Sequence, residues 1–177
     1  MRRAFEISTG PDILHRESTR RADPETSRSP LLMKALEVPG VRASLEPILE
    51  FVRAAAQAAG LEPGAAYHLE LAVDEIATNI VVHGYEEAGL AGRLGITARW
   101  DDSSLTVEII DGAQPYDPRQ RTSPPSLEAA LEDRPVGGLG VFLALRSVDH
   151  FDYVSAGGRN RSIFVMKRRP AGPPAAP

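Results

Sequence analysis

Apolar residues recur at helical spacing over two long stretches of the chain. The first spans residues 41–59 and ends at Gly60, and the second begins after Pro63 and continues to about Tyr85. The apolar positions of the first are Leu45, Ile48, Leu49, Val52 and Ala56, and those of the second are Leu69, Ala72, Val73, Ile76, Ile80 and Val81. Because each set falls on one side of a helix, each stretch predicts an amphipathic helix with one buried face.

Shorter runs that predict strands precede, separate and follow these helices, and all but the first are rich in β-branched and aromatic residues. They span residues 34–38, 94–100, 105–110, 151–155 and 162–167. Residues 101–104 join the second and third runs into a hairpin, and residues 156–160 join the last two. Residues 141–148 predict a third helix. Helices and antiparallel hairpins without regular βαβ spacing predict an α/β sandwich, with helices on one face of a sheet.

The apolar pattern is continuous over residues 31–169, which we interpret as one domain of ordinary size within the 177 residues. Residues 1–30 and 170–177 lack this periodicity and predict flexible tails. The proline-rich stretch 115–135 is long for a connection inside a compact domain. Such connections are usually mobile or functional.

Composition and charge exclude several classes of protein. The chain has no cysteine, which excludes disulfides, thiolate zinc sites, iron–sulfur clusters and a cysteine nucleophile. A net charge of -4, from 20 basic and 24 acidic side chains, provides no basic field for nucleic acid. No segment approaches the roughly 20 apolar residues of a membrane span. We therefore expect a cytoplasmic protein that binds neither nucleic acid nor membrane.

Three polar residues share one side of the second predicted helix. Glu75, Asn79 and His83 follow one another at intervals of four residues, beside the apolar stripe. Polar pairs at this spacing are common on exposed helix flanks, so a solvated surface is one interpretation. The other is a site at the edge of the core, where a carboxylate and an amide meet a metal and a phosphate.

Two further features could bind a nucleotide, although the chain lacks a lysine-containing phosphate loop. Its two lysines, Lys34 and Lys167, do not follow glycine. Residues 137–140, three of them glycine, precede the third predicted helix. There, backbone N–H groups and the helix dipole attract anions, or the glycines simply form a tight turn. Asp111 ends a predicted strand and either accepts a hydrogen bond from adenine or belongs to an Asp-Gly turn.

Along the chain, the polar helix side comes first, Asp111 second and the glycine segment third. This order is typical of the N, G1 and G2 boxes of the GHKL nucleotide-binding superfamily. Residues 71–85 closely resemble the N box of the anti-sigma-factor serine kinases of the RsbW and SpoIIAB type. Residues 137–149 resemble their G2 box, and residues 157–167 resemble their last hairpin. The resemblance covers about residues 34–168. One departure is Ala113, which stands where the G1 box usually has glycine and adds a methyl group at the pocket wall.

The resemblance implies a Bergerat-type fold, an α/β two-layer sandwich whose mixed, mostly antiparallel sheet carries helices on one face. It implies that ATP binds with Mg²⁺, that Asn79 holds the metal, and that Glu75 is the general base. Asp111 would accept from the adenine amine, and residues 118–136 would form a lid over the phosphates. Other residues implied to contact the nucleotide are His83, Ala113, Gly137, Gly138, Leu139, Gly140, Val141 and Ser162.

The implied function is that of a serine kinase that sequesters a sigma factor and phosphorylates a STAS-type anti-anti-sigma protein. The resemblance also implies a homodimer built partly from residues 34–59, whose alanines either would let another backbone approach closely or simply reflect the high helix propensity of alanine. An alternative stays open, namely an ATP-binding or protein-binding module of the same fold without phosphoryl transfer. Glu75 favours the kinase, whereas Ala113 and the proline-rich loop favour the alternative.

Overall fold

An antiparallel sheet forms one layer of the protein. A computed structural model describes residues 31–32, 35–120 and 139–168, and both predicted tails lie outside these ranges. The strands within them are β1 (Leu31–Leu32), β2 (Leu36–Pro39), β3 (Arg93–Trp100), β4 (Ser104–Asp111), β5 (His150–Ala156) and β6 (Arg159–Lys167). Their order is β1-β3-β4-β6-β5, and β2 also pairs with β3. Every pairing among the described strands is antiparallel.

Helices form the second layer. Those in the described ranges are α1 (Leu45–Ala58), α2 (Pro63–Asn79) and α3 (Leu139–Ser147), with a π-helix (Ile80–Glu86) that continues α2. Helix α2 packs against both α1 and α3. This arrangement confirms the predicted two-layer sandwich with helices on one face of the sheet. Among the described residues, no helix is both long enough and apolar enough to cross a membrane.

The core lies between the sheet and the helices. Alternate residues of the central strands are buried there, as the period-two pattern predicts. The buried apolar residues of these strands are Leu94, Ile96, Ala98, Leu105, Val107, Ile109, Phe164 and Met166. They meet the buried faces of α1 and α2, which include Ile48, Val52, Leu69, Val73 and Ile76. Burial of one large apolar side chain stabilises a fold by about 1.5–3 kcal/mol. The core between the sheet and the helices therefore supplies most of the stability.

The inner face of the sheet changes character along β4 and β6. The strand register pairs Leu105 with Met166, Val107 with Phe164, Ile109 with Ser162, and Asp111 with Asn160. We call Leu105, Val107, Phe164 and Met166 the apolar end, and Asp111, Asn160 and Ser162 the polar end. Residues of both ends are almost completely buried. A buried polar group needs a hydrogen-bond partner, so the polar end requires an explanation that packing does not supply.

The turn between β5 and β6 differs from the predicted five-residue turn at 156–160. Only Gly157 and Gly158 form it, with φ angles of 60° and 73° that suit glycine. A two-residue turn with two positive φ angles matches the twist of a hairpin better than a longer loop does. Asn160 was therefore wrongly assigned to the turn, because it lies within β6 and on the inner face.

The helix predicted to continue to Tyr85 changes from α to π geometry after Asn79. The N–H of Glu87 donates to the carbonyl of Val82 at 2.9 Å, five residues earlier. The ring of Tyr85 is clamped between Gly40 and Gly92, since a Cβ atom at either glycine would approach it to 2.5 Å. The wider turns shift the side chains that follow Asn79 out of α-helical phase, and π segments often occur at functional sites.

Core packing uses part of the small-residue surface of α1. Ala55, Ala56 and Ala59 are buried within this domain, and only Ala54 and Ala58 are exposed. The exposed alanines share their side of the helix with polar neighbours. The prediction of a homodimer through α1 therefore depends on the family resemblance rather than on spare apolar surface.

Candidate functional site

A cavity of about 250 Å³ opens at the polar end, between the α2 and π helices and the ends of β4 and β6. Four residues predicted for the site line it: Asn79, His83, Asp111 and Ser162. They come from three separate stretches of the chain, so the antiparallel register of β4 and β6 and the packing of α2 bring them together. Ser162 is 1% exposed and stands two residues after Asn160 on the same face of β6.

The Asp111 carboxylate is 3% exposed and only half satisfied. Its Oδ1 atom accepts from the N–H of Ala113 at 2.9 Å and from Nδ2 of Asn160 at 2.8 Å. Its Oδ2 atom is buried and has no hydrogen-bond partner among the described residues. Burial raises the pKa of Asp111, while the two hydrogen bonds oppose that shift. The site therefore holds a free acceptor oxygen beside the cavity.

Asn79 presents an amide oxygen to the cavity. Its Nδ2 atom donates to the backbone carbonyl of Glu75 at 2.7 Å, one turn earlier, which leaves Oδ1 for a ligand. No group of three or more potential ligand side chains of His, Cys, Asp or Glu occurs in the described ranges. An amide oxygen such as Oδ1 of Asn79 is a ligand type that suits a hard cation such as Mg²⁺.

Glu75 lies one turn before Asn79 and faces α3. A Cβ atom at Gly140 would lie 2.5 Å from Oε1 of Glu75 and 2.6 Å from Oε2, so only glycine fits there without moving the carboxylate. Burial raises the pKa of Glu75, and the charge of Asp74 adds to that shift. The carboxylate is thus partly desolvated near the cavity, although it is not among the residues that line it.

Two of the predicted contact residues have buried side chains. The methyl group of Ala113 faces Gly84, since a Cβ atom at Gly84 would lie 2.8 Å from it. Ala113 is 7% exposed, and the side chain of Val141 is buried in the core. Their predicted contact with a nucleotide stays a prediction.

Of the remaining predicted residues, the structure describes His83 and Leu139. Nδ1 of His83 is 2.7 Å from Oε2 of Glu87, and both side chains are largely exposed. Gly137 and Gly138 lie outside the described residues, and Leu139 is the first residue of α3. The predicted phosphate-binding role of this glycine segment stays a prediction.

The predicted lid is described only at its beginning. Pro118 lines the cavity. Next to it, Arg119 pairs with Asp117 at 2.8 Å and donates to the carbonyl of Tyr153 at 2.9 Å. The guanidinium lowers the pKa of Asp117 through their hydrogen bonds. These bonds anchor the start of the proline-rich stretch to β5, and residues 121–138 lie outside the described ranges.

Among the cavity-lining residues that were not predicted, Asn160 and Tyr153 bond closest to Asp111. Asn160 is 3% exposed, lines the cavity and bonds to Asp111. The hydroxyl of Tyr153 donates to Oδ1 of Asn160 at 3.0 Å and accepts from the N–H of Tyr116 at 3.1 Å. One signal could have found Asn160, because it stands in period-two phase with Ser162, Phe164 and Met166 on the buried side of β6.

Comparison with known proteins agrees with this geometry. A family model described as the histidine kinase-like ATPase domain matches residues 38–166. The chain is 32% identical over 104 residues to the serine/threonine-protein kinase BtrW of Bordetella bronchiseptica, a match that covers 59% of this chain and 72% of that relative. It is 28% identical over 100 residues to the anti-sigma F factor of Clostridium acetobutylicum, covering 56% of this chain and 68% of that relative.

The family match contains every cavity-lining residue discussed above, from Asn79 to Ser162. It also contains the sheet from β3 onward and all three α-helices. The resemblance inferred from the N, G1 and G2 boxes is therefore confirmed, and the chain belongs to the histidine kinase-like ATPase domain family.

Proposed function

We propose that this chain binds Mg²⁺ and ATP in the cavity and transfers the γ-phosphoryl group to a serine of a partner protein. The observation that supports nucleotide binding most directly is the buried, unpaired Oδ2 atom of Asp111. An unpaired buried acceptor costs about 1–3 kcal/mol. The exocyclic amine of adenine is a donor of the right kind to remove that cost.

The opposite wall of the cavity suits the phosphates. Oδ1 of Asn79 would be one protein ligand of Mg²⁺, because the Nδ2 atom is already used by the carbonyl of Glu75. Bound Mg²⁺ would neutralise part of the phosphate charge and favour phosphoryl transfer. His83 also lines the cavity and would add a hydrogen-bond donor toward the phosphates.

Glu75 is the proposed general base. It would accept the proton of the serine hydroxyl as that oxygen bonds to the γ-phosphorus, and the bond between this phosphorus and the bridging oxygen of ADP would break. Burial raises the pKa of Glu75 toward neutral pH, where a carboxylate accepts a proton more readily. The backbone of α3 at Gly140 would hold this carboxylate in place.

The partners follow from the relatives. One relative is named a serine/threonine-protein kinase and the other an anti-sigma F factor. We extend these names to a sigma factor that is sequestered and a STAS-domain anti-anti-sigma protein that is phosphorylated. A homodimer belongs to the same proposal, and light scattering at micromolar protein with and without ATP tests it: a monomer throughout contradicts the dimer alone.

One observation favours a second candidate, a nucleotide-binding regulatory module that performs no transfer. The Glu75 carboxylate packs against Gly140 and is not among the described residues that line the cavity. If it stays there when a nucleotide and a serine are bound, it cannot reach the hydroxyl proton. The two candidates share the nucleotide site. They differ in whether the Glu75 side chain moves from Gly140 to the serine hydroxyl.

Incubation with γ-labelled ATP, Mg²⁺ and the STAS protein of the same genome separates the candidates. The kinase predicts label on a serine, and Glu75→Gln should lower transfer by about 10²- to 10⁴-fold while nucleotide affinity stays. Asn79→Ala should instead lose the Mg²⁺-dependent part of the affinity. Glu50→Gln, on the exposed face of α1, is the matched control. ATP binding without label supports the regulatory module, and failure to bind ATP contradicts both.

A further inference from the structure

We propose that Asn160 is a positioning residue that makes Asp111 select an exocyclic amine on the nucleotide base, and that Tyr153 orients Asn160 for this task. The proposal rests on the proposed nucleotide function and concerns its base specificity. Neither residue needs to touch the nucleotide to act in this way. Asn160 acts through the Asp111 carboxylate, and Tyr153 acts through the Asn160 amide.

The orientation of the Asn160 amide follows from its neighbours. Nδ2 lies 2.8 Å from Oδ1 of Asp111 and 3.0 Å from the carbonyl oxygen of Ala113. An ionised carboxylate and a backbone carbonyl can only accept, so the nitrogen must face them. Oδ1 of Asn160 then faces the hydroxyl of Tyr153, which donates to it at 3.0 Å. Both N–H groups and the oxygen of this amide are therefore used.

The turn after β4 offers the carboxylate no second arrangement. The N–H of Ala113 donates to the same Oδ1 atom of Asp111. The N–H of Gly112 donates to the hydroxyl of Tyr85 at 3.1 Å, and that hydroxyl donates to the carbonyl of Arg93. With two donors on Oδ1 and the neighbouring backbone tied, Oδ2 is the acceptor left for a ligand.

This arrangement distinguishes amine from carbonyl on a purine. The two donors on Oδ1 favour the ionised carboxylate and oppose the burial that disfavours it. An ionised carboxylate accepts from the 6-amine of adenine but repels the 6-oxygen of hypoxanthine or guanine. If Oδ1 lost its donors, the carboxyl group could take up a proton and donate to that oxygen. Asn160 thus determines whether Asp111 accepts a hydrogen bond from the base or donates one to it.

Three nucleotides test the proposal by calorimetry on the full chain with Mg²⁺. They are ATP, inosine triphosphate with a 6-oxygen, and purine riboside triphosphate with hydrogen at that position. The native chain should bind ATP about 10-fold or more tightly than either analogue, as expected for a hydrogen bond to a charged group. Asn160→Asp has nearly the same size but lacks the donor, and should lower this preference about 10-fold. Its affinity for purine riboside triphosphate should change less than about threefold.

Tyr153→Phe provides a milder second variant, and should lower the preference for ATP about threefold because the amide loses its orienting donor. Tyr67→Phe is the matched control, since Tyr67 is 63% exposed and remote from the cavity, and it should leave the preference unchanged. A melting curve for each variant reports folding. If Asn160→Asp does not fold, the Tyr153→Phe result decides.

The outcomes separate the two levels of inference. A native chain that binds no nucleotide overturns the proposed function and this proposal with it. A native chain that prefers ATP, with both variants keeping that preference, overturns the role of Asn160 and leaves the proposed function intact. Equal weakening of all three nucleotides also overturns it, because a merely structural role would act on every nucleotide alike.

Discussion

The apolar and polar ends of the inner sheet face are equally buried and come from the same two strands. At the apolar end, Val107 and Phe164 meet helix side chains and leave no polar group to satisfy. At the polar end, Asp111 and Asn160 share hydrogen bonds, and one acceptor oxygen stays without a described partner. Burial alone therefore does not separate core from site in this protein. The balance of donors and acceptors does.

The largest expected effect breaks the apolar end. Phe164→Ala should lower the free energy of unfolding by about 3–5 kcal/mol, because the lost side chain leaves a cavity in a packed core. Ile163→Ala, one residue earlier and only partly buried on the other face, should cost clearly less. Urea unfolding measures both. Equal costs would show that the two faces of β6 contribute alike, against the layer arrangement described above.

A second change displaces the carboxylate beside the polar end. Gly140→Ala places a methyl group against Glu75 and should lower phosphoryl transfer by up to about 10²-fold through misplacement of the base. The free energy of unfolding should change little, because a flexible carboxylate can move aside. Gly64→Ala is the matched control, since a Cβ atom there meets nothing within 4 Å. Undiminished transfer in Gly140→Ala would show that the observed position of Glu75 is not the active one.

A third change removes the unpaired acceptor of the polar end. Asp111→Asn should weaken ATP binding by roughly 10- to 100-fold, the usual range for one hydrogen bond to a charged group. Calorimetry measures the affinity, and Asp102→Asn in the exposed β3–β4 turn is the control. Because the change also removes a buried charge, it should leave the free energy of unfolding nearly unchanged. A loss of stability as large as that of Phe164→Ala would contradict the contrast between the two ends.

The raised pKa of Asp111 predicts that the polar end responds to pH, in contrast to the apolar end, which has no titratable group. Between the unfolded value near 3.9 and the raised folded value, the folded state binds more protons, so unliganded stability falls as pH rises through this window. ATP affinity should change in the opposite direction, since a protonated carboxyl group carries no charge and accepts from the amine more weakly at low pH. Unfolding and calorimetry from pH 4 upward measure both trends, and Asp111→Asn should lose the part of each that comes from this carboxyl group.

The smallest expected effect concerns Ala113. Its methyl group fills the space opposite Gly84, so Ala113→Gly should lower the free energy of unfolding by about 1 kcal/mol. ATP affinity should change less than about twofold, because the methyl group does not line the cavity. Affinity that tightened several-fold would show that this methyl group restricts the nucleotide site after all.

Much of the fold could be predicted because its elements have regular periods. The stripe from Leu69 to Val81 predicted α2 and its continuation, and alternation along residues 94–100 and 105–110 predicted the β3–β4 hairpin. The sequence also predicted Asn79, Asp111 and Ser162, and the structure brings them to one cavity. These signals are local, or depend on the order of motifs along the chain.

The errors have a different origin. The π-helix follows from the fit of the Tyr85 ring between Gly40 and Gly92. Gly40 is distant from Tyr85 along the chain and Gly92 is near, and only the fold brings both against the ring. The place of Ala113 depends on Gly84, and that of Asn160 on a turn two residues long. No periodic pattern carries such pairwise contacts. Asn160 resembles a turn residue because asparagine is common in turns and two glycines, Gly157 and Gly158, stand shortly before it.

The sequence by itself therefore determined the two layers, the family, and several of the polar residues that line the cavity, because hydrophobic period and motif order act along the chain. Only the tertiary structure decided which oxygen of Asp111 is free, since that depends on Asn160 across the sheet and on Tyr153 beyond it. It also decided that Glu75 rests on Gly140 of another helix. Hydrogen-bond direction and close approach are properties of groups in space, and they arise only when the strands and helices have met.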